Sequence, residues 1–122
     1  NGKGKEYNEN RQIIFEGEYL NGKRNGKGKE YDYIVTLDNQ GKNSYISKLI
    51  FEGEFLNGER NGKGKEYDYY GQLIFEGEYI NDNRSSGKKY DKDGNIILEF
   101  KKIKGLLREY DYDGKYYLKV DI

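Results

Sequence analysis

Apolar and charged residues alternate along several short segments of this chain. In the segment 14–19, Phe15 and Tyr19 occupy one set of alternate positions, and Glu16 and Glu18 occupy the other. A period of two is typical of a β-strand whose two faces differ in character. No segment keeps a helical period, and glycine is too frequent for stable helices. The pattern therefore predicts an all-β chain whose strands have one aromatic face and one charged face.

The same strand pattern recurs, which makes an internal repeat the main feature of the sequence. Phe-Glu-Gly-Glu followed by an aromatic residue occurs at 15–19, 51–55 and 75–79, and the segments 21–31 and 57–67 differ at one position. The second and third copies are 24 residues apart, whereas the first and second are 36 apart. One period therefore has about two dozen residues, and the first interval contains 12 more.

The repeat divides the chain into a single array. The predicted units are a partial repeat at 1–14, repeats near 15–50, 51–74, 75–97 and 98–117, and a partial last repeat at 118–122. The 12 additional residues lie within 33–48, where a polar, turn-rich stretch predicts a longer hairpin loop or an extra short hairpin at one edge. The sequence begins inside a repeat and without Met, so we expect a fragment of a longer protein.

Each unit has the features of a β-hairpin. Asn-Gly pairs at 21–22 and 25–26 recur one repeat later, and both residues tolerate the positive φ of tight hairpin turns. The strands after these turns are expected at about 27–33 and 63–69. Gly17 and its equivalents lie between two aromatic residues, which leaves room for a ring from another repeat. Hairpins that are marginal alone would become stable by sharing one aromatic ladder.

Composition excludes several classes of function. The chain has 22 basic and 22 acidic residues, and its 16% of aromatic residues argues against disorder. It has neither Cys nor His, so disulfides, thiol chemistry, a zinc site and the commonest general base are not expected. No apolar run approaches the roughly 18 residues of a membrane span. No signal peptide is recognisable at Asn1, so we expect a cytoplasmic protein, located at a membrane or the cytoskeleton.

Three motifs that suggest chemistry are better interpreted as parts of a β-sheet. The Gly-Lys-Gly-Lys segments lack the spacing, hydroxyl and helix of a phosphate-binding loop. The segment 91–95 resembles the start of a calcium loop, but Ile96 and Lys102 stand where Gly and Glu are required, so a β-turn with an Asx cap is favoured. The Glu pair at 16 and 18 recurs in every copy, whereas catalytic sites are normally unique. We therefore expect no enzyme activity, no cofactor and no metal.

These motifs resemble the MORN repeat family, whose pattern is an aromatic residue, Glu-Gly-Glu, a second aromatic residue, Asn-Gly and Gly-x-Gly. The segments 15–28 and 51–64 have every part, and 75–79 keeps the first half. The resemblance covers residues 2–90 well. The sequence pattern at 109–115 is similar to that of the second MORN subtype. It implies an elongated, twisted, single antiparallel sheet of successive hairpins. It also implies a scaffolding, protein-docking or membrane-proximal role.

The aromatic ladder is the first candidate for partner binding. Its six residues are Phe15, Tyr19, Phe51, Phe55, Phe75 and Tyr79. One interpretation is a mutually packed core. The other is a shallow groove that accepts a helix or strand of a partner, because one layer of sheet cannot bury both faces and tyrosine is common at interfaces. The leading hypothesis is thus a scaffold or protein-interaction module, with self-association by edge pairing as one form.

Basic residues near the predicted turns form the second candidate, for anionic phospholipid. They are Lys23, Arg24, Lys27, Lys29, Arg60, Lys63 and Lys65. Each basic residue near an anionic surface contributes about 1 kcal/mol. Acidic residues lie beside them, however, and this balance favours a solvated face. The same balance argues against nucleic acid as a partner, since nucleic acid prefers a basic stripe.

Overall fold

The described residues form one antiparallel sheet whose strand order follows the sequence. The computed structural model describes residues 1–103, 106–111 and 116–120, with side chains as far as Lys101. The strands are β1 Gly2–Tyr7, β2 Ile13–Leu20, β3 Lys23–Leu37, β4 Asn43–Leu56, β5 Glu59–Tyr67, β6 Leu73–Ile80, β7 Asn83–Tyr90, β8 Ile96–Ile103, β9 Leu106–Asp111 and β10 Tyr116–Val120. No helix occurs among these residues. The predicted all-β fold, a single antiparallel sheet of successive hairpins, is confirmed.

Two kinds of strand alternate through the first part of the sheet. The Phe-Glu-Gly-Glu segments lie in β2, β4 and β6, and the segment Asn-Gly-Lys-Gly-Lys-Glu-Tyr supplies β1 and recurs within β3 and β5. We call them first strands and second strands of the repeat. The predicted units 98–117 and 118–122 include residues 104–105, 112–115 and 121–122, which lie outside the described residues.

The hairpin turns form where Asn-Gly predicts them, with one difference. Asn21 and Gly22 have φ values of 51° and 77°, as a tight hairpin turn requires. The next pair, Asn25-Gly26, is not a turn, because β3 already begins at Lys23. Gly26, with φ of 102°, lies where the pairing of β2 with β3 changes register. The second Asn-Gly therefore accommodates a β-bulge inside the strand, and the strand starts earlier than expected.

Successive hairpins are joined by turns that an aspartate or asparagine side chain holds. The Asp68 carboxylate accepts hydrogen bonds from the backbone N–H groups of Tyr70 and Gln72, at 2.9 and 3.0 Å. At the segment that resembles a calcium loop, the Asp91 carboxylate likewise accepts from Asp93 and Asn95. The predicted Asx-capped turn is confirmed there.

The 12 additional residues extend one hairpin beyond its neighbours. Strands β3 and β4 continue to pair from Asp32 with Lys48 to Leu37 with Asn43, and the connecting turn lies at 38–42. This ribbon, residues 32–48, adds about six pairs, or about 20 Å of strand at 3.3 Å per residue. Its base is held by the Tyr69 hydroxyl, which donates to the Asp32 carboxylate at 2.7 Å.

The core is a single row of aromatic rings lying on a row of glycines. Phe15, Phe51 and Phe75 are fully buried, and Phe55, Tyr79 and Phe100 join them. A Cβ at Gly64 would come within 2.6 Å of the Phe51 ring, so the ring occupies the space that a side chain would need. The predicted packing of rings over glycine is confirmed. A one-layer sheet thus acquires a core without a second layer.

Candidate functional site

The aromatic ladder lies inside the protein rather than on its surface. Five of its six predicted members are buried, and Tyr19 is half-buried. The rings contact each other edge to face, with centroids 5.1 Å apart for Phe15 with Phe55 and for Phe51 with Tyr79. The rings of the aromatic ladder therefore form a mutually packed core. Partner binding by these rings stays a prediction, and the buried rings offer it no accessible groove.

Arginine side chains cover the rings and link one repeat to the previous one. The Arg60 guanidinium lies 4.1 Å from the centroid of the Phe51 ring and donates to both carboxylate oxygens of Glu30, at 2.8 and 3.2 Å. The same arrangement recurs as Arg24 with Phe15 and Glu6, and as Arg84 with Phe75 and Glu66. A cation over a ring and a bidentate ion pair both stabilise this contact. We call each such group an arginine staple.

The staples shift the pKa values of the groups that form them. Burial raises the pKa of Glu66, but hydrogen bonds from Arg84 and Tyr79 outweigh it and hold that pKa below its usual value. Burial, and then the hydrogen bond to Glu66, raise the pKa of Tyr79. Each of these pKa shifts thus arises from contacts within the protein. Sequence reasoning missed the staples, although Arg and Glu recur at fixed places in the repeat.

The predicted lipid-contacting residues do not form one cluster. Arg24 and Arg60 belong to staples on the aromatic face. Lys23 follows a turn, and the remaining four lie inside strands. Those four are Lys27, Lys29, Lys63 and Lys65. They lie within the strands expected at about 27–33 and 63–69, beside the turns rather than in them, and lipid contact by the seven residues stays a prediction.

An open groove runs across the strands on the face opposite the aromatic rings. Its floor is the glycine row, in which Gly17 pairs with both Gly4 and Gly28, and Gly64 with both Gly53 and Gly77. Its volume is about 1800 Å³. Small-molecule pockets usually enclose about 300–1,000 Å³. The groove is therefore suited to an extended macromolecular segment rather than to a small substrate.

Charged residues line both sides of the groove in bands of alternating sign. Each second strand contributes two lysines and each first strand two glutamates, one on either side of its central glycine. The lysines of the first three second strands are Lys3, Lys5, Lys27, Lys29, Lys63 and Lys65, and the glutamates are Glu16, Glu18, Glu52, Glu54, Glu76 and Glu78. A partner in the groove would thus meet positive and negative bands in turn, about 4.8 Å apart.

Five of the six groove glutamates just named are held by hydrogen bonds. The Tyr31 hydroxyl donates to Glu16 at 2.6 Å, and Glu18 accepts from the backbone N–H of Lys27 at 2.5 Å. Tyr67 and Tyr90 donate to the equivalent glutamates of the later hairpins. Burial and the hydrogen bond to Glu52 raise the pKa of Tyr67 to about 12. These tyrosines therefore remain protonated donors at neutral pH and fix the carboxylates in place.

The lysines of the groove, by contrast, form almost no close ion pairs. Glu16 lies opposite Lys29 in register, yet neither Glu16 nor Glu18 forms an ion pair with Lys27 or Lys29 within 4.0 Å. Among the described residues, the only close pair in the groove joins Lys88 and Glu99, at 4.0 Å. Most lysine ammonium groups therefore remain available to a partner.

An apolar border accompanies the charged bands. Leu20, Leu56 and Ile80 immediately precede the hairpin turns and are exposed. By strand alternation they lie on the same face as the groove glutamates. They are therefore exposed on the groove face, one at the end of each first strand.

The described residues do not include a group of three or more His, Cys, Asp or Glu side chains placed to hold a metal ion. Within the same residues, no helix is long and apolar enough to cross a membrane.

A comparison with protein families matches this chain at two segments. The family model described as MORN repeat matches residues 15–33 and 51–69. These residues include two complete Phe-Glu-Gly-Glu segments, in β2 and β4, and the Asn-Gly-Lys-Gly-Lys-Glu-Tyr segments of β3 and β5 that pair with them. A comparison with curated proteins found no match.

Proposed function

Because the chain belongs to the MORN repeat family, we propose that it is a non-catalytic scaffold that binds a partner protein in its glycine-floored groove. The observation that carries the proposal is the pair of Lys and Glu rows on an open floor of glycine backbone. Fold alone does not determine function, so the proposal rests on this surface. The partner best suited to it is an extended protein segment that carries both acidic and basic side chains.

The groove is suited to binding because its lining is preorganised. Glu16 and Glu18 are already hydrogen-bonded, and the floor belongs to a continuous hydrogen-bonded sheet. Such a surface loses little conformational freedom when a partner binds. Alternating charge favours specificity and orientation over affinity, because a partner in the wrong register would place like charges together.

Binding to anionic phospholipid is the weaker alternative. The basic residues are divided between two faces, and the groove lysines alternate with glutamates. A membrane surface attracts a concentrated basic patch, and balanced bands reduce that field. Lipid binding is therefore the alternative outcome that the experiment below distinguishes.

Site-specific photocrosslinking in cells that express the protein tests the proposal. A benzoylphenylalanine at Lys65, in the groove, should crosslink a defined partner. The same probe at Lys42, in the turn of the ribbon, is the matched control and should not. The double variant Lys27→Gln with Lys63→Gln should weaken capture of that partner by at least about tenfold, since two charge-assisted contacts are lost.

Circular dichroism of each variant should show an unchanged fold. Equal crosslinking from both positions, or full capture by the double variant, would contradict the proposal. Salt-sensitive binding to phosphatidylserine vesicles that the double variant loses would instead favour the lipid alternative.

A further inference from the structure

The ribbon has two free strand edges within the array. Strand β2 pairs with β3 only as far as Glu30, and β5 pairs with β4 only as far as Phe51. In the segments 33–37 and 43–47, β3 and β4 pair with each other alone. Each segment therefore has one side along which no other strand lies among the described residues.

The register determines which backbone groups face these edges. The Asp38 N–H donates across the ribbon to the Lys42 carbonyl oxygen at 2.9 Å. Backbone groups of an antiparallel strand point alternately to its two sides, so those of Val35 and Leu37 point away from β4. The Tyr33 N–H agrees with this alternation, because it donates to a carboxylate of its own strand at 2.8 Å. An incoming strand would thus meet unpaired N–H and C=O groups on β3.

The β3 edge has none of the features that usually prevent strand pairing. The segment 33–37 is Tyr-Ile-Val-Thr-Leu, without charge, proline or bulge. Lysine, proline and bulges are the common means by which native proteins block such an edge. Val35 and Leu37 are 51% and 69% exposed, and with Tyr45 they form an apolar face that two strands alone cannot bury. A third strand would cover part of this face.

The β4 edge is less suited to strand addition. Three of the five residues in its segment 43–47 are polar, namely Asn43, Ser44 and Ser47. The Tyr69 side chain also crosses the base of this strand to reach Asp32 on β3. The β3 edge is therefore the candidate site.

Charge at the two ends of the segment 33–37 determines which strand fits. Asp32 and Asp38 flank it, six positions apart. Within the ribbon, these aspartates face Lys48 and Lys42 of the opposite side. Opposite charges directly across a ladder stabilise it, and like charges destabilise it. The free edge therefore favours an incoming strand with two basic residues six positions apart and uncharged residues between them.

A second copy of this chain does not fit the edge. Two β3 edges paired about Val35 would place Asp32 of each copy opposite Asp38 of the other. Strand β4 of a second copy has the required lysines, but in the register of the ribbon its residues 50–56 would occupy the place of β2. A separate polypeptide segment meets neither obstacle.

We propose that the β3 edge of the ribbon, residues 33–37, binds an extended strand of another protein in which two basic residues flank five uncharged ones. The incoming strand pairs antiparallel with β3 and forms backbone hydrogen bonds with Val35 and Leu37. Its basic residues lie beside Asp32 and Asp38. The site is separate from the groove, so it does not depend on the partner proposed above.

A fluorescein-labelled peptide of residues 41–49 is the probe, because it has Lys42 and Lys48 six positions apart. Titration with the full chain should raise its fluorescence anisotropy to saturation. Nuclear magnetic resonance should show that the peptide slows amide hydrogen exchange at Val35 and Leu37 by at least about tenfold. A peptide with Lys42→Glu and Lys48→Glu should bind at least about fivefold more weakly. Absence of binding, equal affinity for both peptides, or unchanged exchange at the two amides would overturn the proposal.

Proline at two positions of the ribbon provides the matched controls. Val35→Pro removes an N–H that points to the β3 edge, and Ser47→Pro removes one that points to the β4 edge. Val35→Pro should weaken peptide binding by at least about tenfold, and Ser47→Pro should leave it unchanged. The opposite result would place the peptide on the β4 edge and overturn the proposal. A dimer of the parent chain in sedimentation velocity that Val35→Pro abolishes would assign the edge to a second copy, which would also overturn it.

Discussion

At the scale of single residues, a glycine and an aromatic ring act together. The glycine at the centre of each strand is unfavourable for an isolated β-strand. Here its missing side chain leaves room for a phenylalanine ring over the strand, as for Phe51 over Gly64. Each fully buried aromatic ring contributes about 1.5–3 kcal/mol. Burial of the ring therefore outweighs the conformational cost of the glycine. The same pairing of a ring with a glycine is repeated along the array.

This arrangement predicts unequal effects of the same substitution at two sites with the same sequence. Gly64→Ala should destabilise the protein by about 1–3 kcal/mol, because its methyl group would overlap two buried rings. Gly4→Ala should cost less than half as much, because it meets only the half-buried Tyr19. Urea denaturation of both variants is the measurement. A larger loss from Gly4→Ala than from Gly64→Ala would contradict the account of the core.

The arginine staples predict a dependence of stability on acid pH. The pKa of Glu66 is lower in the folded protein than its usual value. The ionised Glu66 carboxylate therefore stabilises the folded protein fully above its unfolded-state pKa. This stabilisation is lost as the pH falls through the folded-state pKa. Glu66→Gln should cost about 1.5–3 kcal/mol at pH 7, the range for a hydrogen bond to a charged group. The substitution should also make the free energy of unfolding fall less steeply between pH 5 and the folded-state pKa.

Urea denaturation at several pH values measures this effect. Glu59→Gln is the control, because Glu59 is exposed and forms no ion pair within 4.0 Å among the described residues. If the free energy of unfolding fell equally steeply at acid pH in the Glu66→Gln variant and in the parent protein, the staple would not be the cause of that fall.

At the scale of the element, each hairpin is specified by its own turn. Asn21 and Gly22 adopt the positive φ values that tight turns need, and Asp68 caps the join to the next hairpin. The ribbon is an addition to this plan, since it lies beyond the pairs that the other hairpins form. Val35 and Leu37 are exposed there, so the ribbon adds little to the buried core.

The ribbon should therefore be dispensable for folding. Replacement of residues 32–48 by the sequence of 68–72 removes the 12 additional residues and restores the join found between β5 and β6. We expect the shortened protein to unfold cooperatively, with a free energy of unfolding within about 1 kcal/mol of the parent value, because the buried rings are untouched. Thermal unfolding followed by circular dichroism tests this. Loss of cooperative unfolding would show that the ribbon stabilises the array.

At the scale of the whole molecule, each repeat is stabilised by its contacts with the adjacent repeats. Among the described residues, each strand pairs only with its neighbours in sequence order, and the staples and ring contacts reach one strand further, as Arg60 joins Glu30. Stability should then be a sum of repeat and interface contributions.

Duplication of residues 51–74 tests this additivity. Inserted after Ile74, the copy continues the 24-residue period and adds one more staple and two more core rings, the equivalents of Phe51 and Phe55. We expect the free energy of unfolding to rise by at least about 1 kcal/mol, or roughly 4 °C in melting temperature. A matched insertion with Phe51→Ser in the copy should give no gain. An equal gain from both insertions would argue against the ring as the source of interface stability.

The sequence by itself determined the type of fold. Alternating residues, the 24-residue period and the turn-forming Asn-Gly pairs are local or periodic signals, so they predict strands, hairpins and their stacking without any knowledge of the structure. The packing of rings over glycine also follows, because a glycine that recurs between two aromatic residues of one strand face leaves space that only a neighbouring ring or backbone can fill. The second Asn-Gly pair is predicted as a turn but forms a bulge, because both features favour a glycine with positive φ.

Only the tertiary structure decided which residues remain accessible. Arg24 belongs to a staple that reaches Glu6 across an intervening strand, and no local pattern reveals such a partner. The aromatic face is closed by these arginines, and the charged face forms the groove. Burial and partner choice depend on residues that are 18 to 30 positions apart in sequence but adjacent across the sheet. They are therefore properties of the assembled array rather than of any one repeat.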